Sequence, residues 1–346
     1  LPNKIVDRSI HATYTYSVIH TVRIGVVGID HWHAPIHVKS FLQAGAVIMG
    51  GCGGDEVSSK RFTQLASCPM YENLDALVSK AKPDFIMAMA KHHEMPSLAR
   101  RLFEIGLPFG IEKPLGRNAG EVAPLAELEA KTGLFVAIPF VNRYSLLWEE
   151  LEKSGNSSIS HAHFRIVNGS PDRYEIEGVS WMLDPRISGG GCLRNLGIHT
   201  ADAFLYATGN RSYSVRCAAV HNLVYGKPVE EFATALLVSE SGAIVTIEAG
   251  YSYPSVAPGG DFEWRIATAD RYIIDRESSL IVKKREENAP IEMKKNRNQL
   301  ERYGEFARDT LRRLMGGLKP ATGIEDCYHA MKLIDQVYAA AGIKIH

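Results

Sequence analysis

The chain contains no Cys-x-x-Cys pair, no block of like charge, no internal repeat and no apolar run of the ~20 residues a membrane span needs. Each absence removes a class. Cys52, Cys68, Cys192, Cys217 and Cys327 stand far apart, and five cannot all pair within one chain. That points to a reducing cytoplasm rather than to a disulfide scaffold or a zinc ribbon. Lys+Arg and Asp+Glu both number 39, with no basic stripe interleaved with aromatics, so nucleic acid is not an expected partner. No charged start followed by an apolar core is seen, so neither membrane association nor an export signal is expected. What remains is an ordinary globular composition, 45% hydrophobic and 23% charged. At 346 residues the chain exceeds the roughly 250–300 at which single cores stop growing, so two domains are expected, with a small polar molecule as ligand.

Residues 1–21 read as an N-terminal extension holding one strand-like patch, 12–19. From Val22 the pattern sharpens. Val22-Arg-Ile-Gly-Val-Val-Gly is a β-branched run meeting a glycine, as a buried parallel strand does. Strands over 46–49, 83–90, 107–111 and 134–138 then alternate with helices over 34–44, 56–65, 74–81, 95–105 and 119–132. This alternation specifies a doubly wound parallel sheet of the Rossmann kind, assigned to residues 22–142. After Asn142 the grammar changes. Strand-like runs over 160–167, 214–220, 231–238, 243–249, 261–267 and 279–283 follow one another with few helices between the later ones. Residues 143–346 are therefore a second α/β domain built on a large sheet, with helices over 196–207, 298–316 and 325–341 and a solvated loop over 284–298.

Glu112-Lys113-Pro114 is the most informative stretch, because it ends an apolar run with a lysine. Pro114 has no N–H and biases Lys113 away from helical angles, so the ammonium stays at the carboxyl end of the strand, where open parallel sheets bind ligands. The first strand ends at Gly28-Ile29-Asp30-His31-Trp32-His33, the place of a dinucleotide-binding turn. Only the first glycine is kept; Asp30 and His33 occupy the second and third glycine positions. The acidic residue that binds the adenosine ribose is displaced as well: Cys52-Gly53-Gly54 precedes Asp55, and no arginine stands in its place. NAD and NADP both remain open. His31, His33, His92 and His93 all follow sheet strands at their carboxyl ends, which directs them toward Lys113; without an established zinc spacing they point to cofactor or substrate contacts, and no metal is expected.

A second segment runs Gly189-Gly190-Gly191-Cys192-Leu193-Arg194-Asn195-Leu196-Gly197-Ile198-His199. If a helix begins near Leu193, Asn195 and His199 are spaced i, i+4 and share a face with Asp202. Arg143 stands just past the first domain, where it can meet a substrate carboxylate or phosphate or pair with Glu149 or Glu150. Arg173, Tyr174, Trp181 and Arg186 precede the glycine run and are candidates to line the same cleft.

With these residues in view, the chain resembles the Gfo/Idh/MocA oxidoreductases, the glucose-fructose oxidoreductase and inositol dehydrogenase family, over about 22–345. The resemblance implies an N-terminal Rossmann domain, a C-terminal α/β domain with a large open, mostly antiparallel sheet, and bound NAD or NADP. It implies hydride transfer at a hydroxyl or keto carbon of a sugar, inositol or sugar derivative. Lys113, Asn195 and His199 fall on its catalytic positions, with asparagine where aspartate is commoner. Cofactor contacts are then expected from Gly28, Ile29, Asp30, His31, Trp32, His33, Gly53, Asp55, His92, His93, Glu112 and Lys113. Substrate contacts are expected from Lys113, Arg143, Trp181, Arg186, Asn195 and His199. A homodimer or homotetramer is expected through the outer face of the second sheet. Two alternatives remain open: a glycosidase-type enzyme that oxidises its sugar transiently, and a ligand sensor on the same fold.

Overall fold

The computed structural model describes residues 21–155, 158–209, 212–256, 259–294 and 299–344. The strand-like patch at 12–19 lies outside the described residues. The first unit is built from β1 (Arg23–Val27), α1 (Ala34–Gln43), β2 (Val47–Cys52), α2 (Glu56–Ala66), β3 (Met70–Tyr71), α3 (Leu74–Ala81), β4 (Phe85–Ala88), α4 (Met95–Ile105), β5 (Phe109–Ile111), α5 (Ala119–Thr132) and β6 (Val136–Ala137). Its strands form one parallel sheet in the order β3-β2-β1-β4-β5-β6. The order reverses between β1 and β4, and the carboxyl ends on either side of that reversal frame the crevice where a doubly wound sheet receives ligands. Local chemistry sets the helix ends. Asp55, Asn73 and Asn118 cap α2, α3 and α5 by accepting from the backbone N–H groups of Ser58, Ala76 and Glu121, while Gly106 and Gly133 close α4 and α5 with left-handed angles.

The second unit opens with α6 (Leu146–Glu152) and β7 (Ile159–Gly169), followed by the short helices α7 (Asp172–Ile176) and α8 (Pro185–Ser188), then α9 (Ile198–Thr208). Next come β8 (Tyr213–His221), β9 (Phe232–Ser239), β10 (Ile244–Tyr253), β11 (Gly260–Thr268), β12 (Arg271–Arg276), β13 (Ser279–Lys284) and β14 (Ile291–Lys294). They make an eight-stranded sheet, β14-β13-β12-β11-β7-β10-β9-β8, in which only the β7–β10 pair is parallel. The α9 helix and the turn before it pack on the inner face, where Phe164, Val245, Ile247, Ala249 and Trp264 are buried. Three strands depart from the expected pattern: the two-residue β3 of the first unit, and β12 and β14 here. All four residues of β14 are exposed, and its Ile291-Glu-Met-Lys alternation is only four residues long and sits among the charged and polar residues of the segment expected as a loop. Charges at both ends, Arg271 and Arg276, hide the short apolar run of β12.

Helices α10 (Gln299–Met315) and α11 (Ile324–Ala340) close the molecule, and both return to the first unit. Tyr303, Phe306, Ala307 and Leu311 of α10 are buried in one cluster with Ile24, Val38 and Phe41 of β1 and α1. The α11 helix packs between α5 and α9, and its Asp335 accepts from Ala119 N (2.7 Å) and from Arg194 Nη2 (2.6 Å). Within the second unit, just past its junction with the first, Arg143 donates through Nε and Nη2 to Asp202 on α9 and through Nη2 to Asp326 on α11 at 3.0 Å. The sequence left Arg143 between a substrate anion and a local glutamate; instead, two carboxylates distant in the chain occupy it. Burial opposes its charge, but Asp202 and Asp326 outweigh that and raise its pKa. Removing the guanidinium leaves Asp202 buried without a counter-ion, so Arg143→Ala is expected to cost about 3–5 kcal/mol. Urea denaturation checks this, and a loss under ~1 kcal/mol would show that the group does not fasten the second unit to its last helix.

Candidate active site

The carboxyl ends of β1, β4 and β5 are tied into one row: Met89 N donates to Val27 O (2.9 Å), Glu112 N to Ala88 O (3.0 Å) and Gly28 N to Cys52 O (3.0 Å). Gly28 has φ +76°, and a Cβ there would lie 1.9 Å from Met89 O, so no other residue lets the turn after β1 pass this close to β4. The same logic governs the second segment. Gly189 has φ +76° and would place a Cβ 2.4 Å from Arg117 O, so the glycine run lets the second unit's chain cross the first unit's backbone.

Where those segments meet, Lys113 is 5% exposed, and its Nζ donates to Asn195 O (3.0 Å) and Asn195 Oδ1 (3.2 Å). Asn195 in turn donates from Nδ2 to the hydroxyls of Tyr174 (2.9 Å) and Tyr251 (3.1 Å), which fixes its amide orientation. Leu193–Gly197 forms a π-helical turn rather than the first turn of an α-helix, so the expected shared face of Asn195, His199 and Asp202 does not form. Asp202 faces Arg143, while His199 is buried with its Nδ1 lacking any hydrogen-bond partner and its ring edge-on to Phe140. Burial, reinforced by the Lys113 charge, holds the His199 pKa well below 6.5, so the imidazole is neutral at pH 7. The Lys113 pKa is lowered by burial, against the opposing pull of Glu112.

Glu112 carries the buried counter-charge. Its Oε1 lies 2.9 Å from His33 Nδ1 and 2.7 Å from His37 Nε2, and its Oε2 accepts from Lys113 N (3.1 Å). Tyr303 OH of α10 stands 3.3 Å from His33 Nδ1. Burial would raise the Glu112 pKa, but His33 and His37 outweigh it and hold it well below 4.5. Thus His33, in the third glycine position, replaces a close backbone contact with a side-chain bond to the strand that delivers Lys113. An aromatic wall lies beside it: Trp32 stacks on His31 at 4.1 Å and meets Trp181 at 5.7 Å, and Trp181 meets His92 at 5.1 Å. Burial lowers both neighbouring imidazoles, His31 well below 6.5 and His92 to about 3.

Of the residues singled out from the sequence, Lys113, Asn195, His199, Glu112, His31, Trp32, His33, His92 and Trp181 are gathered here. Three are not. The Arg186 side chain is 83% exposed and pairs with Asp184, His93 is exposed beside Glu94, and Arg143 is held by Asp202 and Asp326. His37, Tyr251, Arg302 and Tyr303 were not read from the sequence. The signal for Arg302 was an arginine on the apolar face of an amphipathic helix, four residues before Phe306.

These residues fit a dinucleotide. The tight turn at Gly28 is preserved, and the first turn of α1 carries no acid to repel a diphosphate. Asp30 lies over the end of β2, since a Cβ on Gly54 would come within 3.2 Å of the Asp30 Cβ, which puts a carboxylate near the place of the missing ribose partner. Asp55, expected there, is engaged as the cap of α2 through Oδ1 (2.8 Å to Ser58 N). Among the described residues no group of three or more His, Cys, Asp or Glu is arranged to hold a metal ion, and no helix is long and apolar enough to cross a membrane.

The fold and the site together define an NAD-binding oxidoreductase. Residues 22–140 match the family model described as an oxidoreductase family with an NAD-binding Rossmann fold, and residues 157–269 match the GFO/IDH/MocA C-terminal domain. The chain belongs to the Gfo/Idh/MocA family. Similar solved structures include an oxidoreductase of Erwinia carotovora atroseptica (22% identity, 93% of this chain and 99% of that one, TM-score 0.78). Levoglucosan dehydrogenase in complex with NADH and levoglucosan is similar over 93% of this chain and 97% of that one (13% identity, TM-score 0.83). UDP-N-acetylglucosamine 3-dehydrogenase from Acidithiobacillus ferrooxidans is similar over 92% and 97% (18% identity, TM-score 0.76). At these identities the likeness establishes the fold. A search of curated proteins found no match.

Glu112→Gln keeps an acceptor for the two imidazoles but sets an amide N–H₂ against the Lys113 N–H. The expected cost is about 1–3 kcal/mol by urea denaturation near neutral pH. A depressed carboxylate pKa stabilises only above its ordinary value and loses that contribution as pH falls through the folded one. The gap between variant and parent should therefore narrow below pH 4.5, and a gap that widens there would reverse the assignment.

Proposed function

We propose that the protein is a nicotinamide-dependent dehydrogenase or reductase acting on a CH–OH or keto carbon of a sugar, cyclitol or sugar derivative. The observation that carries this reading is the pairing of a buried ammonium, Lys113, with a buried neutral imidazole, His199, whose Nδ1 is left without a partner. A protein that only bound a ligand would gain nothing from a desolvated proton acceptor. The similar structures in complex with NADH or NAD+ and with levoglucosan, L-sorbose or L-tartaric acid support the substrate class by analogy.

In this reading His199 takes the proton of the substrate hydroxyl during oxidation and returns it during reduction. Lys113 hydrogen-bonds the same oxygen and stabilises its alkoxide character, and Asn195 orients the ammonium through its carbonyl and amide oxygens. Asn195 has no ionisable group, so it does not shuttle the proton. Bound NAD supplies the hydride acceptor. Asp30 and the adjacent Asp55 and Glu56 place acids at the end of β2, and Lys60 there pairs with Glu56 at 2.8 Å. That charge pattern favours NAD over NADP, whose extra phosphate would meet carboxylates. The domain boundary falls at Asn142–Arg143, the chain works in a reducing cytoplasm as its five free thiols suit, and it assembles as a homodimer or homotetramer through the outer sheet face. Light scattering at micromolar concentration tests the assembly; a monomer contradicts it.

The test of function is fluorescence titration with NADH and NADPH, followed by a sugar and polyol panel read as nicotinamide reduction. NADH should bind at least about tenfold more tightly than NADPH. Lys113→Ala and His199→Ala should each lower turnover by about 10²–10⁴ with little change in NADH affinity. Because the His199 pKa is lowered, the acid limb of the oxidation profile should lie below pH 6.5. Near-parental rates in either variant, or a limb above 6.5 that survives His199→Ala, would remove these roles.

A further inference from the structure

Arg302 of α10 is a buried cation that the protein leaves half-used. It is 1% exposed; its Nη2 approaches Glu277 at 3.3 Å, its guanidinium lies 4.8 Å from the centre of the Phe262 ring, and its Nε and Nη1 have no hydrogen-bond partner. Burying a guanidinium with unspent donors opposes folding, and a stably folded protein tolerates it where the donors await something else. Glu277 is a weak counter-ion, since its own side chain is 47% exposed to water.

The sheet register locates these donors. Phe262 of β11 pairs with Ile166 of β7, and on the other side of β7 Gly250 of β10 pairs with Val167, so Tyr251 stands at the same end of the inner face as Phe262. Tyr251 holds Asn195, the residue that grips Lys113. Arg173 lies against Tyr174 and Tyr251, also with an unpartnered Nε. The next residue after Arg302, Tyr303, reaches His33 beside Glu112. The Arg302 charge is also among those that depress the His199 imidazole. This end of the inner face thus meets two arginines with donors to spare, Arg173 against the tyrosines that hold Asn195 and Arg302 over Phe262. The nearby acids are already matched, Glu112 by His33 and His37, Asp202 by Arg143.

We propose that Arg302, flanked by Arg173, is the substrate-anchoring residue of this site, and that the substrate is an acidic sugar or polyol whose carboxylate or phosphate takes the unspent N–H groups. This inference rests on the functional reading above and names its substrate class. The anion completes the Arg302 coordination and holds the substrate in the cleft that Lys113 and His199 line.

The experiment uses the full chain saturated with NADH and titrates D-gluconate, D-glucuronate and D-glucose 6-phosphate against the uncharged D-glucitol and D-glucose by calorimetry, then repeats the set as oxidations with NAD. At least one anionic probe should bind ten- to a hundredfold more tightly than its uncharged counterpart, and the carboxylate and phosphate arms identify the group. Arg302→Met, which keeps the packing over Phe262, should abolish that preference, raise KM for the acid by about 10²-fold and leave kcat little changed. Its melting temperature should stay level or rise, because an apolar residue of similar shape removes the unspent donors. Arg302→Lys should recover part of the preference and guards against a misfolded methionine variant. Equal binding of charged and neutral probes, or an unchanged preference in folded Arg302→Met, overturns the inference. Turnover of neutral sugars alone overturns it while sparing the functional reading; Arg302-dependent anion binding with no nicotinamide reduction does the reverse.

Discussion

A buried ammonium joins the two halves of this protein. Lys113 leaves the fifth parallel strand of one unit and spends its hydrogen bonds on Asn195 of the other, in a site where both side chains are almost out of water. Desolvating a lysine is costly unless its donors are satisfied, so the position of Asn195 is not free to drift. The π-helical turn, the two tyrosine hydroxyls on the Asn195 amide and the glycine run that lets the chains cross at Arg117 all serve to bring that oxygen to the lysine.

The charges around this contact divide into those that are spent and those that are not. Glu112 is saturated by two imidazoles and a backbone N–H, so it balances Lys113 electrostatically without competing for its hydrogen bonds. Arg143, Asp202 and Asp326 form a closed group that fastens the second unit to its own last helix. Left over are the Nδ1 atoms of His199 and His37 and the free donors of Arg302 and Arg173. A proton acceptor and two cationic donors on one sheet face describe an alcohol substrate that carries a negative charge. Each of these groups is costly to bury alone, which is why their convergence carries more weight than any one of them.

Much of the fold was legible before the structure. Helices over 74–81, 95–105 and 119–132 keep the boundaries that apolar spacing and flanking Asn, Gly and Pro residues predicted, since local signals decide local elements. The β14 strand was illegible because its four exposed residues gain their place from pairing with β13 alone. The short helices of the second unit were equally hidden, being too brief to show a period. In the site, Lys113 could be read because a proline fixed its place at a strand end. Arg143 could not be resolved, because its two partners lie 59 and 183 residues away.

The sequence by itself determined the alternation of strands and helices in the first unit, the switch to strand-rich grammar after Asn142, and the presence of a lysine and a histidine in segments of the kind that form ligand crevices. These depend on periodicity and on backbone-restricted residues, which act over a few positions. Only the tertiary structure decided which charged groups neutralise one another. It turned Asp202 away from His199, exposed Arg186, brought His37 and Tyr303 to Glu112 and left Arg302 with donors to spare. The reason is that Coulomb attraction and hydrogen bonding act between neighbours in space, and a chain that crosses between two sheets and returns its last helices to the first makes neighbours of residues far apart in order.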